Sequence, residues 1–168
     1  MRKIFKKACP PSLRSGVSGR GITIIEALVV IAIIGILVAI VIPQFAKTRE
    51  NQVLKSAVSD MLSSFSKARS ETLSSLNSSE YGVRFESDKV IIFKGKVFSS
   101  GAADNETISI TTPATIANVT LGGVSAVSGD MYFSRLSGSP SKTGTVTIST
   151  ASLSKIITIS ATGVASVN

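Results

Sequence analysis

The strongest constraint on this chain is an uninterrupted aliphatic run close to its N-terminus. Residues 27–42 are 16 consecutive positions without a polar side chain, and between Ile22 and Ile42 only Thr23 and Glu26 are polar. About 20 helical residues, each rising about 1.5 Å, cross the roughly 30 Å of bilayer hydrocarbon. The run therefore predicts a single membrane-spanning helix. A buried helix of a soluble protein is the alternative, and it is disfavoured because no other segment is apolar enough to surround it.

The basic charge of the chain is concentrated before this run. The formal net charge is +8, from 18 basic and 10 acidic residues, and six of the basic residues lie within residues 1–21, which hold no acidic residue. The rest of the chain is close to neutral, with 12 basic and 10 acidic residues. The positive-inside rule places the N-terminal segment in the cytoplasm and the C-terminal part outside. A nucleic-acid partner is not expected.

The composition excludes most kinds of catalytic and metal-binding site. The chain has no His and a single Cys, Cys9, so neither imidazole-based catalysis nor an intrachain disulfide is available. Residues 104–106 (Asp-Asn-Glu) offer oxygen ligands, but they lack the twelve-residue spacing of a calcium loop. We therefore expect no enzyme activity, no catalytic residue, no cofactor and no metal site.

Glu26 is the informative residue at the start of the apolar run. A charged side chain inside a membrane span costs on the order of 3 kcal/mol, and such a residue is a functional candidate by default. Cleavage after Gly21 would give Ile22 a positive amine four residues before Glu26, and the two charges could pair within a subunit or between neighbours. Pairing between neighbours would fix the axial stagger of packed helices. The alternative is that Glu26 lies near the lipid interface and extends its carboxylate to water.

Residues 21–26, with the sequence GITIIE, and the aliphatic run after them resemble the class III signal of type IV pilins and type II secretion pseudopilins. The resemblance implies that a prepilin peptidase and methyltransferase cuts after Gly21 and methylates the new amine of Ile22. Glu26 is then the glutamate at the fifth mature position. The chain departs from the family in one place, because Ile22 stands where Phe or Met is usual.

The same resemblance implies how the helix adapts and where the protein resides. Family members often have a proline near the twenty-second mature position, which is Pro43 here, and an interior proline kinks a helix. Gly35 is a second weak point, so residues 35–43 are expected to unwind partly when subunits pack. The implied partners are other pilins or pseudopilins, an inner-membrane assembly platform and, before assembly, membrane lipid. The implied location is the bacterial inner membrane, crossed once, and then a filament in the periplasm or at the cell surface.

Beyond Pro43 the pattern becomes amphipathic. Apolar residues recur every three or four positions, which is typical of one face of a helix packed against a sheet. The predicted inward face consists of Leu54, Val58, Met61, Phe65, Ala68, Thr72 and Leu76. We predict one helix over residues 22–77, bent near Pro43, with Arg69 and Glu71 on its solvated face.

From Tyr81 onward the apolar pattern shifts to a period of two, which predicts strands. A hairpin is predicted from residues 81–86 and 90–93. Further strands are predicted at residues 107–111, 115–121, 131–133, 144–149, 155–160 and 164–167. Lys94 and Lys96 are interpreted as the solubilising charges of an exposed edge strand. The fold class is therefore α+β: a long N-terminal helix packed on an antiparallel β domain.

The chain is predicted to comprise four segments. They are a leader at residues 1–21, a transmembrane and assembly helix at 22–43, its amphipathic continuation at 44–77 and a β domain at 78–168.

Two stretches, residues 67–72 (KARSET) and 133–138 (FSRLSG), are similar to the GspH/FimT group of minor pseudopilins. This likeness implies the pilin fold and a structural, non-enzymatic minor subunit of a type II secretion or type IV pilus filament. Relatives that bind DNA carry a basic C-terminal end, whereas this chain has no Arg or Lys after Lys155. A major pilin, a filament-tip subunit that binds DNA or a surface, and a single-span protein that never polymerises are the alternatives. The machine that the subunit serves is left open.

Overall fold

The structure is a computed structural model that describes residues 21–168, so residues 1–20 of the predicted leader, Cys9 among them, lie outside the described residues. A long helix, α1 (Ile24–Leu73), is followed by a 3₁₀ turn at Leu76–Ser78 and by nine strands. The strands form two antiparallel sheets. The α+β class and the long apolar N-terminal helix are therefore confirmed, and the division of the strands into two sheets is new.

The first sheet has four strands in the order β3-β2-β1-β6, and the second has five in the order β5-β4-β7-β8-β9. The strands are β1 (Tyr81–Phe85), β2 (Lys89–Lys94), β3 (Glu106–Ser109), β4 (Thr115–Leu121), β5 (Val124–Ala126), β6 (Gly129–Tyr132), β7 (Gly144–Ser149), β8 (Ser154–Ile159) and β9 (Ala165–Val167). The predicted hairpin is confirmed as β1 and β2, with Val83 opposite Ile92. Strand β5 was not predicted, because three residues are too few to show an alternating pattern.

The inner face of α1 packs on the sheets over its second half. Leu54, Met61, Phe65, Ala68 and Thr72 are buried, as their spacing predicts. The ring of Phe65 stacks on Phe85 of β1 at 5.5 Å and meets Phe133, just after β6, edge-on at 6.2 Å. These aromatic contacts join the helix to the four-stranded sheet and its continuation, in geometries that aromatic pairs prefer.

Two residues of the predicted inward face are not buried in the structure. Val58 is only half-buried, and its neighbour Ala57 is buried in its place. Leu76 is exposed, because α1 ends at Leu73 and not at residue 77. Ser75, Asn77 and Ser78 adopt positive φ angles between 50° and 53°, which take the chain out of the helical path.

The edge-strand interpretation of the two lysines is wrong. Lys94 ends β2, which lies between β3 and β1 inside the four-stranded sheet. Its Nζ atom lies 4.0 Å from a carboxylate oxygen of Asp104, and the Nζ of Lys96 lies 3.7 Å from Glu80. The two lysines therefore contact acidic groups of the same domain.

Opposite charges surround the turn between β1 and β2. Arg84 Nε donates to a Glu86 carboxylate oxygen at 3.2 Å, and Lys89 Nζ lies 3.3 Å from the other oxygen. The hydrogen bond from Arg84, with a smaller contribution from Lys89, lowers the pKa of the Glu86 carboxyl below its ordinary value. Because the folded pKa lies below the unfolded one, the ion pair stabilises the fold above the unfolded pKa, and this contribution is lost as the pH falls through the folded pKa.

Replacing this carboxylate should therefore have a pH-dependent effect. We expect Glu86→Gln to lower the free energy of unfolding at neutral pH by no more than about 0.5 kcal/mol, since the group is partly solvated. The difference from wild type should shrink as the pH falls through the lowered folded pKa of this carboxyl and vanish once the carboxyl is protonated in the folded protein as well. Urea unfolding of both proteins in detergent micelles at several pH values measures it. A difference that is constant over this range would contradict the role of the ion pair.

Candidate functional site

The start of α1 is built around Thr23 and Glu26. Thr23 precedes the helix, and its side-chain oxygen accepts a hydrogen bond from the backbone N–H of Glu26 at 3.3 Å. The Thr23 carbonyl accepts the next helical bond, from the N–H of Ala27 at 3.1 Å. Thr23 is thus the N-cap, and the Thr-x-x-Glu spacing is that of a capping box. Sequence reasoning missed this role of Thr23, although the spacing that indicates it is local.

The predicted cleavage point lies just outside the helix. Gly21 and Ile22 come before the N-cap, and the Ile22 side chain is 78% exposed. Glu26, in the first helical turn, is also exposed. Its carboxylate is favourably placed in the positive field of the helix N-terminus. The predicted pairing of Glu26 with a new amine on Ile22 stays a prediction.

The aliphatic run is uncovered within the part of the chain that the structure describes. The large apolar side chains from Ile24 to Ile42 are between 46% and 83% exposed. This half of α1 is long and apolar enough to cross a membrane, and none of its apolar window is buried. Monomeric soluble proteins rarely expose contiguous apolar patches beyond a few hundred Å². By length and composition the segment is therefore compatible with a single membrane-spanning helix.

Gly35 and Pro43 both lie within α1. A Cβ atom at Gly35 would meet no other atom of the described chain within 4 Å, so contacts within the subunit do not require a glycine there. The bend expected at Pro43 and the partial unwinding of residues 35–43 stay predictions.

The second half of α1 is tied to the β domain by buried polar contacts as well as by its apolar face. The Thr72 hydroxyl donates to the Ala68 carbonyl at 2.8 Å and accepts from the backbone N–H of Tyr81, the first residue of β1, at 3.0 Å. Thr72 has no exposed surface. Its hydroxyl therefore satisfies a buried backbone donor at the junction between helix and sheet.

Arg69 is half-buried, so its assignment to a solvated helix face is wrong. Its Nε donates to the Gly138 carbonyl at 3.2 Å, and one terminal nitrogen donates to the Thr162 carbonyl at 3.0 Å. Gly138 and Gly163 have φ angles of +63° and +77°, and a Cβ at either would lie 3.1 Å or 3.0 Å from Arg69 Nε. Arg69 thus fastens α1 to two loops. No local pattern could predict this, because the partners lie 69 and 93 residues further along.

The acidic loop before β3 is engaged in contacts with the protein. Lys67 Nζ donates to both carboxylate oxygens of Glu106, to Oε1 at 2.6 Å, and this hydrogen bond raises the pKa of Lys67 above its ordinary value. Asn105 donates to the Ser99 carbonyl at 2.7 Å. Over residues 21–168 no group of three His, Cys, Asp or Glu side chains is placed to hold a metal ion.

Comparison with protein-family models, with curated proteins and with solved structures gives no match for this chain. The likeness to pilins and pseudopilins therefore rests on the sequence features alone.

The buried hydroxyl of Thr72 provides a test of how the helix is fastened. Thr72→Val should lower the free energy of unfolding by about 1–3 kcal/mol, because the Tyr81 N–H would be buried without a partner. Thr72→Ser keeps the hydroxyl and serves as the matched control, with a smaller loss. Urea unfolding of the full chain in detergent micelles, followed by circular dichroism, measures both. A Thr72→Val protein as stable as wild type would contradict this assignment.

Proposed function

We propose that this protein is a structural, non-enzymatic minor subunit of a bacterial filament of the type IV pilus or type II secretion class. The observation that carries the proposal is the uncovered apolar half of α1. It carries one carboxylate, Glu26, in its first turn, five residues after Gly21 and three after the Thr23 cap. The fold class agrees with a pilin-like layout of one long helix and an antiparallel β domain.

In this proposal the uncovered half of α1 is covered first by lipid and later by the helices of other subunits. Lipid covers the segment while the subunit waits in the inner membrane, since the run matches the hydrocarbon thickness. Helices of other pilins or pseudopilins replace the lipid when an inner-membrane assembly platform draws the subunit into the filament. Gly35, around which the subunit itself leaves space, permits local adjustment of the helix during this exchange.

Glu26 supplies the specificity of that exchange. Prepilin peptidase cuts after Gly21, the amine of Ile22 becomes a methylated cation, and the carboxylate of Glu26 pairs with such a cation on a neighbouring subunit. A charge in an apolar bundle is costly unless it is paired. Only a helix in the correct axial register removes this cost, so the ion pair selects one stagger.

Leader removal is tested by the intact mass of membrane-derived protein. We expect a chain that begins at Ile22 and carries one added methyl group. The matched control is the same protein made in cells that lack the prepilin peptidase, which should retain residues 1–21. A species that still carries the leader in cells with an active peptidase would overturn the processing step.

The pairing role is tested by Glu26→Gln. Glutamine also suits the third position of a capping box, so the helix start is preserved while the charge is lost. We expect membrane insertion to persist and incorporation into sheared filaments to fall by at least about tenfold, as expected for breaking a buried ion pair. Glu71→Gln, further along the same helix, is the control and should assemble normally. Normal incorporation of Glu26→Gln would refute the pairing, and a subunit found in membranes but in no filament would favour a single-span protein that never polymerises.

A further inference from the structure

An open groove of about 380 Å³ lies between α1 and the start of β9. Its helical wall includes Leu62, Phe65, Arg69 and Leu73, and its other wall is formed by residues 163–165. Leu73 in this groove is 41% exposed, and Val164 is 52% exposed. The groove therefore presents apolar surface to solvent, next to one guanidinium group.

The groove lies at the start of β9, which is a free edge of the five-stranded sheet. Strand β9 is the last strand in that sheet and pairs only with β8. The Ser160 N–H donates to the Val164 carbonyl, and the Asn168 N–H donates to the Ile156 carbonyl, each at 3.0 Å. Because hydrogen-bonded pairs alternate in an antiparallel ladder, the backbone N–H and C=O groups of Ala165 and Val167 point to the free edge.

The side chains of β9 show which face an added strand would extend. Ala165 and Val167 stand opposite Ile159 and Ile157, and both isoleucines are buried on the core face. A strand added beyond β9 would direct every second side chain to that same face. The side chain that lies next to Ala165 would be placed at the groove, because Ala165 lines it.

Arg69 gives this groove a preference for negative charge. Two of its N–H groups donate to the carbonyls of Gly138 and Thr162. No carboxylate among residues 21–168 lies within 4.0 Å of its guanidinium. A guanidinium has five N–H donors, so others are available to a carboxylate in the groove.

We propose that β9 and this groove bind an extended strand of another protein, which adds to the sheet edge and places a carboxylate on Arg69. Backbone hydrogen bonds to Ala165 and Val167 supply affinity, and the alternate side chains in the groove supply selectivity, as in other cases of strand addition. All of these residues lie beyond the apolar first half of α1, between residues 62 and 167. The docking site therefore stands whether or not the apolar helix assembles into a filament.

A second copy of this chain fits the site less well than a different protein. The acidic residues on the edge strands of the four-stranded sheet already contact cations: Glu106 on β3 contacts Lys67, and Asp130 on β6 lies 3.7 Å from Arg84. Strand β5, the other edge of the five-stranded sheet, has no acidic residue. An acidic strand from a different chain would reach Arg69 without breaking such a pair.

Defined peptides test the proposal on the full chain in detergent micelles. The probes are eight-residue peptides of alternating valine and threonine in which one glutamate moves through the valine positions, together with twins that carry glutamine. We expect at least one glutamate peptide to bind about fivefold or more tightly than its twin in fluorescence anisotropy. Binding should slow hydrogen exchange at the amides of Ala165 and Val167.

Two matched variants locate the binding. Val164→Asp places a carboxylate in the groove that Arg69 lines and should weaken binding of the glutamate peptide by about tenfold or more. Val124→Asp makes the same change at an exposed valine on the opposite edge of the same sheet and should leave binding unchanged. Both valines are more than half exposed, so neither change disturbs the core.

The following results would each overturn the proposal. They are failure of every glutamate peptide to bind, equal binding of the glutamine twins, equal effects of the two variants, and protection at β5 without protection at β9. Protection of Ala165 and Val167 that rises with protein concentration in the absence of peptide would identify a second copy as the occupant and would also overturn it.

Discussion

Packing of one face of α1 against the β domain is the interaction on which the rest of this structure depends. The Phe65 ring contacts the rings of Phe85 on β1 and of Phe133 just after β6. The Thr72 hydroxyl accepts a hydrogen bond from the first backbone N–H of β1. The apolar contacts supply most of the stabilisation, and the polar contacts fix the position of the helix, because a misplaced helix would bury unsatisfied groups. The same helix that forms this core is, towards its start, an apolar surface with no cover in the described chain.

The two halves of α1 thus follow different physical rules. In the second half, burial is one-sided and the other face carries polar and charged groups. In the first half every side is apolar apart from Glu26, which is the pattern of helices that lie in lipid or pack among similar helices. A single carboxylate at the start of that half is conspicuous for this reason. In the proposed filament this carboxylate selects one axial register of the packed helices. Apolar contacts alone do not select a register, whereas an unpaired charge is most costly where water is excluded.

The proposed docking edge uses a different kind of recognition. Strand addition relies on backbone groups, which every protein has, so selectivity must come from side chains beside the edge. Arg69 combines both roles here. It holds two loops through their carbonyls and also lines the groove, whose other wall is residues 163–165. A structural arginine without a carboxylate partner in the described chain is therefore suited to act as the charged contact for an incoming strand.

Local patterns in the sequence determined the long helix, its inward stripe, the β1–β2 hairpin and strands such as β4 and β7, because period and turn chemistry are properties of neighbouring residues. Only the tertiary structure decided that the strands divide into two sheets, that β2 is central and that Arg69 is half-buried. The alternation of apolar and polar residues specifies which face of a strand is apolar, but it does not specify which strands pair with it. Arg69 reaches carbonyls 69 and 93 residues away, and such partners exist only after the chain has folded.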